Sequence, residues 1–91
     1  MRIAYVYFMQ GEPERIGPVV PRHVAYWQEL HLTAYEGGPF ADRSGGLITF
    51  QADSLDAATI ITNGDPFAVE ALLAEAWVKE WKPERLTPGH P

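Results

Sequence analysis

The stretch IAYVYFM, Ile3 to Met9, decides how this chain folds. β-Branched and aromatic residues run through it without a polar interruption, which reads as a strand. Ile3, Tyr5 and Tyr7 fall on one side of such a strand, and Ala4, Val6 and Phe8 on the other. Both sides are apolar. A strand in an antiparallel sheet with one wet face alternates apolar with polar residues instead, so cover is expected on both faces of this sheet.

After this strand, Gly11 to Pro18 (GEPERIGP) is a polar loop punctuated by Gly and Pro. From about Pro21 to Leu32 the pattern turns helical. Val20, His23, Val24, Trp27, Leu30 and His31 recur at spacings of three and four, and Pro18 and Pro21 suit a first turn. Thr33 to Phe40 starts as a strand and breaks at Gly37-Gly38-Pro39, Ala41 to Gly46 is turn chemistry, and Leu47 to Ala52 is an antiparallel partner strand. Ser54 is placed to cap a helix running to about Asn63, with Asp56 in its first turn and Gly64 as a left-handed terminator. Asp65 and Pro66 then open a short helix as its cap and first residue. Ala76 to Lys82 (AWVKEWK) is the last strand. The order β-α-β-β-α-β is the split βαβ pattern of the ferredoxin-like α+β fold, a four-stranded antiparallel sheet with helices on one face. One domain over residues 1–83 is expected, followed by a Pro-rich, frayed tail over 84–91 that includes His90.

Composition narrows the function classes. The chain has 91 residues, no cysteine and a formal charge of −5. A Cys nucleophile, disulfides and thiolate metal sites are thereby excluded. A small domain without disulfide staples suits the cytoplasm. An acidic chain with no basic stripe suits neither nucleic acid nor an anionic membrane surface. No segment approaches the roughly 20 apolar residues that span a bilayer, and the N-terminal apolar run is too short for a secretory signal. Three Trp, four Tyr and four Phe are a large apolar load for a body this small. On the last strand Trp77 and Trp81 share one face and Val78 takes the other. Helices cover one face of the sheet, and the second would leave an apolar patch larger than a monomer usually tolerates. A homodimer packed sheet to sheet is expected, with cover by loops or the tail as the alternative.

The topology also gathers polar residues at one rim. The start of the first helix, the hairpin between the second and third strands and the end of the second helix share that rim. They bring His23, Asp42 with Arg43 and Ser44, and Asp65. The glycine pairs Gly37-Gly38 and Gly45-Gly46, which let a backbone approach a ligand closely, lie there too. A His with a carboxylate partner is the usual acid–base pair. Each residue also has a plainer reading: Asp65 as a helix cap, His23 as a satisfied half-buried histidine, Asp42 as a turn former. His31 lies at the helix end and does not have the i,i+4 spacing of a helical metal pair with His23. Neither a metal nor a cofactor is expected.

Arg22-His23, Gly37-Gly38-Pro39-Phe40 with Asp42, Gly45-Gly46, Asp53 to Ala58 (DSLDAA), Asp65-Pro66-Phe67 and Trp81-Lys82-Pro83 form a spaced set along nearly the whole chain. This set resembles the YCII-related domain family. The resemblance implies a ferredoxin-like domain dimerising as a dimeric α+β barrel, and a His-Asp site falling on His23 and Asp65. Asp42, Arg43, Ser44 and Phe40 are the candidates for ligand binding. Related barrels include cofactor-free isomerases, dehalogenases and small monooxygenases. The implied function is a cofactor-independent acid–base enzyme acting on a small organic molecule. A non-catalytic small-molecule-binding or interaction module is the alternative. One departure is the link His31-Leu32-Thr33-Ala34, where the family commonly has a Gly-containing turn, so the first helix is expected to end early.

Overall fold

Strand β1 (Arg2–Met9) lies between β3 (Gly45–Gln51) and β4 (Leu73–Glu80), and β2 (Glu36–Pro39) closes the far edge beside β3. The resulting order is β2-β3-β1-β4, every neighbouring pair antiparallel. This computed structural model describes residues 1–84, so the expected tail, apart from Glu84, lies outside the described residues. Helix α1 (Pro13–Ile16) and a 3-10 turn (Gly17–Val19) lead into α2 (Val20–Glu29), while α3 (Leu55–Asn63) and α4 (Pro66–Val69) connect β3 to β4. The architecture is the expected ferredoxin-like α+β fold.

The two faces of β1 part as their residues require. Ile3, Tyr5 and Tyr7 are buried beneath the helices together with Ile48 and Phe50 from β3. Trp27 from α2, Ala58 from α3, Phe67 from α4 and Leu72 complete this core. The Tyr5 and Trp27 rings lie 5.9 Å apart, which ties α2 to the central strand. Side chains of this size each add about 1.5–3 kcal/mol when taken out of water. On the other face, Phe8 packs between Phe40 and Trp77 at 5.9 and 6.2 Å. Leu47, Trp77 and Trp81 there remain 38 to 48% exposed. Val78 turns the opposite way and packs on the core, as the alternation along β4 demands.

Several boundaries differ from the sequence reading for identifiable reasons. The Gly11–Pro18 loop contains a helical turn, opened by Pro13 in its first turn and followed by Pro18 in the 3-10 turn. Helix α2 ends at Glu29 rather than Leu32. The chain then turns back through His31 and Ala34, whose φ angles of 49° and 55° are left-handed. The glycine missing from this link is thus replaced by two residues held where glycine is favoured. Gly37-Gly38-Pro39, read as a break, forms β2 itself; Pro is tolerated because this strand is an edge. Gly45 and Gly46, read as turn, belong to β3. A Cβ on Gly45 would collide with the Tyr7 carbonyl oxygen, so only glycine fits against β1 there. β4 begins at Leu73, three residues before the reading placed it.

Gly64 is not left-handed: its φ is −85°. Its lack of a side chain serves packing, because a Cβ there would strike the Tyr26 hydroxyl, which donates to the Ile61 carbonyl at 2.6 Å. Ser54 does cap α3, accepting from the Ala57 N–H at 3.0 Å.

Candidate active site

Asp65 stands between α3 and α4 with no exposed surface. As cap of α4 its carboxylate accepts the Phe67 N–H at 2.9 Å. Trp27, reaching across from α2, donates its indole N–H to the same carboxylate at 3.0 Å. His23, one turn before Trp27 on the same face of α2, places Nδ1 2.9 Å from both carboxylate oxygens. A peptide N–H and an indole N–H can only donate. The carboxylate oxygens are therefore acceptors, and the Nδ1 that meets them is the protonated ring nitrogen. In the neutral ring Nε2 is then the acceptor, and it has no hydrogen-bond partner among the described residues. The cap and the histidine contact are two uses of one carboxylate.

The His23 ring is held in place on its faces as well. Phe67 stacks on it at 4.1 Å with planes 12° apart, and Tyr7 meets it edge-on at 5.8 Å. With 9% of its surface exposed, His23 opens onto a cavity of about 490 Å³. That lies within the roughly 300–1,000 Å³ of small-molecule sites. The walls come from Tyr7 and Met9 of β1, Ile16, Val20, Val24 and Gln28 on the helical side, and Tyr35, Gly37, Gly38 and Pro39 along β2. Arg43, Gly45, Ile48 and Phe67 complete them. Trp27 does not block the opening: it is buried beneath, holding the carboxylate.

Of the rim residues expected to bind a ligand, Arg43 alone lines this cavity. Asp42 is exposed and accepts both the Ser44 N–H at 3.0 Å and its hydroxyl at 2.6 Å. These bonds lower the Asp42 pKa, and Asp42 and Ser44 form a self-contained turn outside the cavity. Phe40 faces the other side of the sheet. There it lines a second, more open hollow of about 260 Å³ with Leu47 and Thr49, and Gly37, Gly38 and Pro39 border both spaces.

Tyr7, Tyr35 and Trp27 were missed because aromatics in strands and on an apolar helix stripe read as core. The missed signal is the glycines. A Cβ on Gly46 would collide with the Tyr7 hydroxyl, and one on Gly37 would lie 2.9 Å from the Tyr35 hydroxyl. Each phenol is seated over a glycine. Burial, then the Asp65 charge, then Tyr35 push the Tyr7 pKa up to about 12, and the same first two causes raise that of Tyr35. Both rings stay neutral at ordinary pH.

The model of the YCII-related domain matches residues 1–82. The chain belongs to this family. Among curated relatives, the uncharacterized protein YjpA of Bacillus subtilis strain 168 is 42% identical over 45 residues, a match covering 50% of this chain and 52% of YjpA. Among solved structures, the 5-chloro-2-hydroxyhydroquinone dehydrochlorinase TftG of Burkholderia phenoliruptrix AC1100, in complex with 2,5-dihydroxybenzoquinone, superposes with a TM-score of 0.78. It shares 22% identity over 90% of this chain and 94% of its own. Rv0793 of Mycobacterium tuberculosis gives a TM-score of 0.56 at 11% identity, covering 92% of this chain and 98% of that one. An antibiotic biosynthesis monooxygenase gives 0.55 at 13%, covering 90% and 98%. At these identities the likeness is one of fold, the ferredoxin-like α+β fold already described. No helix among the described residues is long and apolar enough to cross a membrane.

Proposed function

We propose that this YCII-domain protein is a cofactor-independent acid–base catalyst acting on a small organic molecule held against His23. One observation carries the reading: the His23 Nδ1 is tied to a buried carboxylate, while its ring opens onto a cavity large enough for a substrate. In this reading Nε2 takes a proton from a substrate carbon or hydroxyl. The resulting imidazolium is stabilised by Asp65, which keeps its own charge. The proton then returns to another substrate atom, completing an isomerisation, or passes to water as a leaving group departs with its electron pair, completing an elimination. The likeness to a dehydrochlorinase makes elimination from chlorinated hydroxyquinols the first reaction to assay.

The test is turnover and ligand binding side by side in wild type and His23→Gln. Turnover lost with binding kept is the expected result. Binding without turnover in both proteins favours the non-catalytic module and overturns the reading.

The same proposal includes a homodimer through the open sheet face, supported by the exposed apolar cluster of Leu47, Trp77 and Trp81 beside Phe8. Sedimentation is expected to give the mass of two chains for wild type and of one for Trp77→Asp. A monomeric wild type would rule out this arrangement.

A further inference from the structure

The cavity wall has an unbalanced charge. None of its lining residues is Asp or Glu, and Arg43 is the one that carries a permanent charge. Of the other described arginines, Arg2 and Arg22 have local side-chain partners, while Arg15 has none and stands outside the cavity lining. Arg2 donates to the Ala34 carbonyl and Thr49 and lies over Trp81, and Arg22 lies 3.9 Å from Glu70. The Arg43 side chain makes no hydrogen bond and no ion pair among the described residues, although Asp42 is its neighbour in sequence. Both Asp42 bonds go to Ser44 instead.

The backbone fixes the base of this side chain. The Arg43 N–H donates to the Phe40 carbonyl at 2.9 Å, closing the hairpin turn, and its φ of 64° is left-handed. That conformation is uncommon for a residue other than Gly, Asn or Asp and is a cost that a plain turn would avoid by using glycine. The remaining polar side chains of the wall, besides His23, are the Tyr7 and Tyr35 phenols and the Gln28 amide. Burial and the Asp65 charge keep the phenols protonated, so none of these groups brings a negative charge. The rest of the wall is apolar or glycine, including Met9, Ile16, Val20, Val24, Ile48 and Phe67.

From this we infer that the cavity selects small anions with an apolar body, such as carboxylates, enolates or phenolates, with the Arg43 guanidinium meeting the negative charge. This rests on the reading of the cavity as a substrate site and adds the substrate class to it. A guanidinium binds a carboxylate through paired, charge-assisted N–H···O bonds that an ammonium cannot reproduce in geometry. Arg43 is thus a specificity residue, separate from the proton-transfer role given to His23.

The test is binding of matched pairs, benzoate against benzamide and phenylacetate against phenylacetamide. Affinities are read from amide chemical-shift perturbation in wild type, Arg43→Gln, Arg43→Lys and His23→Gln. At least one anion is expected to shift cavity amides and to bind about tenfold or more tightly than its amide, the size of one charge-assisted contact. Arg43→Gln is expected to abolish that preference and leave the amide unchanged, and Arg43→Lys to restore it in part. His23→Gln is expected to keep the preference, which separates Arg43 from any charge on the imidazole. The inference is overturned if neither anion is preferred over its amide, including the case in which nothing binds, or if the preference survives Arg43→Gln. Anion preference in Arg43 variants and proton transfer in His23 variants fail independently, so loss of one proposal does not hide the other.

Discussion

The α3–α4 junction and the β2–β3 hairpin both reach the rim of the cavity, and each carries an aspartate in a local backbone role. Asp65 caps a helix and Asp42 closes a turn. The difference lies in what else reaches them. Asp65 is buried and accepts from His23 and Trp27, 42 and 38 residues away in sequence. Asp42 is exposed, and its side-chain bonds reach only two residues onward. Local propensity makes an aspartate at both places. Burial against a second element pairs one of them with a histidine and leaves the other a turn.

The largest effect should come from breaking the buried side. Asp65→Ala is expected to cost about 3 kcal/mol or more in urea unfolding, since it leaves the Phe67, Trp27 and His23 N–H groups without an acceptor at about 1–3 kcal/mol for each buried donor left unpaired. Asp65→Asn has nearly the same shape. Its amide must nonetheless turn an NH₂ toward either the Phe67 N–H or the Trp27 N–H, setting donor against donor, so a loss of about 2 kcal/mol is expected. A neutral result for Asp65→Asn would mean that the carboxylate is not the acceptor the geometry requires.

The next comparison concerns the imidazole. Ring ¹⁵N shifts of neutral His23 are expected to report protonation at Nδ1, with a mixture of tautomers in Asp65→Asn and no change in Asp42→Asn. A ring protonated at Nε2 in the wild type would remove the general base.

Tyr7 touches both regions, its ring edging His23 and its hydroxyl lying over Gly46 of the hairpin. Its pKa rises on folding from 10.0 to about 12. A raised pKa means that the folded state holds the proton more tightly. The associated stability is therefore complete below pH 10 and is lost as pH rises toward about 12. Stability measured against pH is expected to fall across that window and to fall less in Tyr7→Phe, with Tyr5, also raised by burial, supplying part of the remainder.

The smallest effect belongs to the hairpin. Asp42→Ala is expected to leave the unfolding midpoint unchanged, and Ser44→Ala to bring the Asp42 carboxyl back up toward its ordinary value by ¹³C NMR titration. The bonds from Ser44 hold that value down, so what little stability they add is present above the ordinary carboxyl range and fades as pH falls through the lowered one.

These contrasts also explain what was legible in the sequence. The fold was legible because the apolar pattern of Ile3–Met9, the Ser54 cap and the Asp65-Pro66 helix start are all local signals. Topology then brought His23 and Asp65 to one rim without knowledge of any contact. The exit from α2 was legible only as a missing glycine, since nothing local says that His31 and Ala34 accept left-handed angles. Trp27, Tyr7 and Tyr35 were not legible as site residues, because an aromatic gives the same pattern whether its polar atom is idle or bonded across the fold. Asp42 was drawn toward the site by the hairpin's place at the rim, with Arg43 and Ser44 beside it, yet a turn sends neighbouring side chains in different directions, and Arg43 alone of the three lines the cavity.

The partition between the cavity and the open sheet face is made largely of Gly37 and Gly38. A Cβ on Gly38 would meet nothing within 4 Å. At Gly38 the wall is bare main chain, whereas at Gly37 the Tyr35 phenol and the Ile48 side chain lie against it. At Gly38, then, a single layer of main chain is all that separates the chamber beside His23 from whatever lies on the outer face of β2.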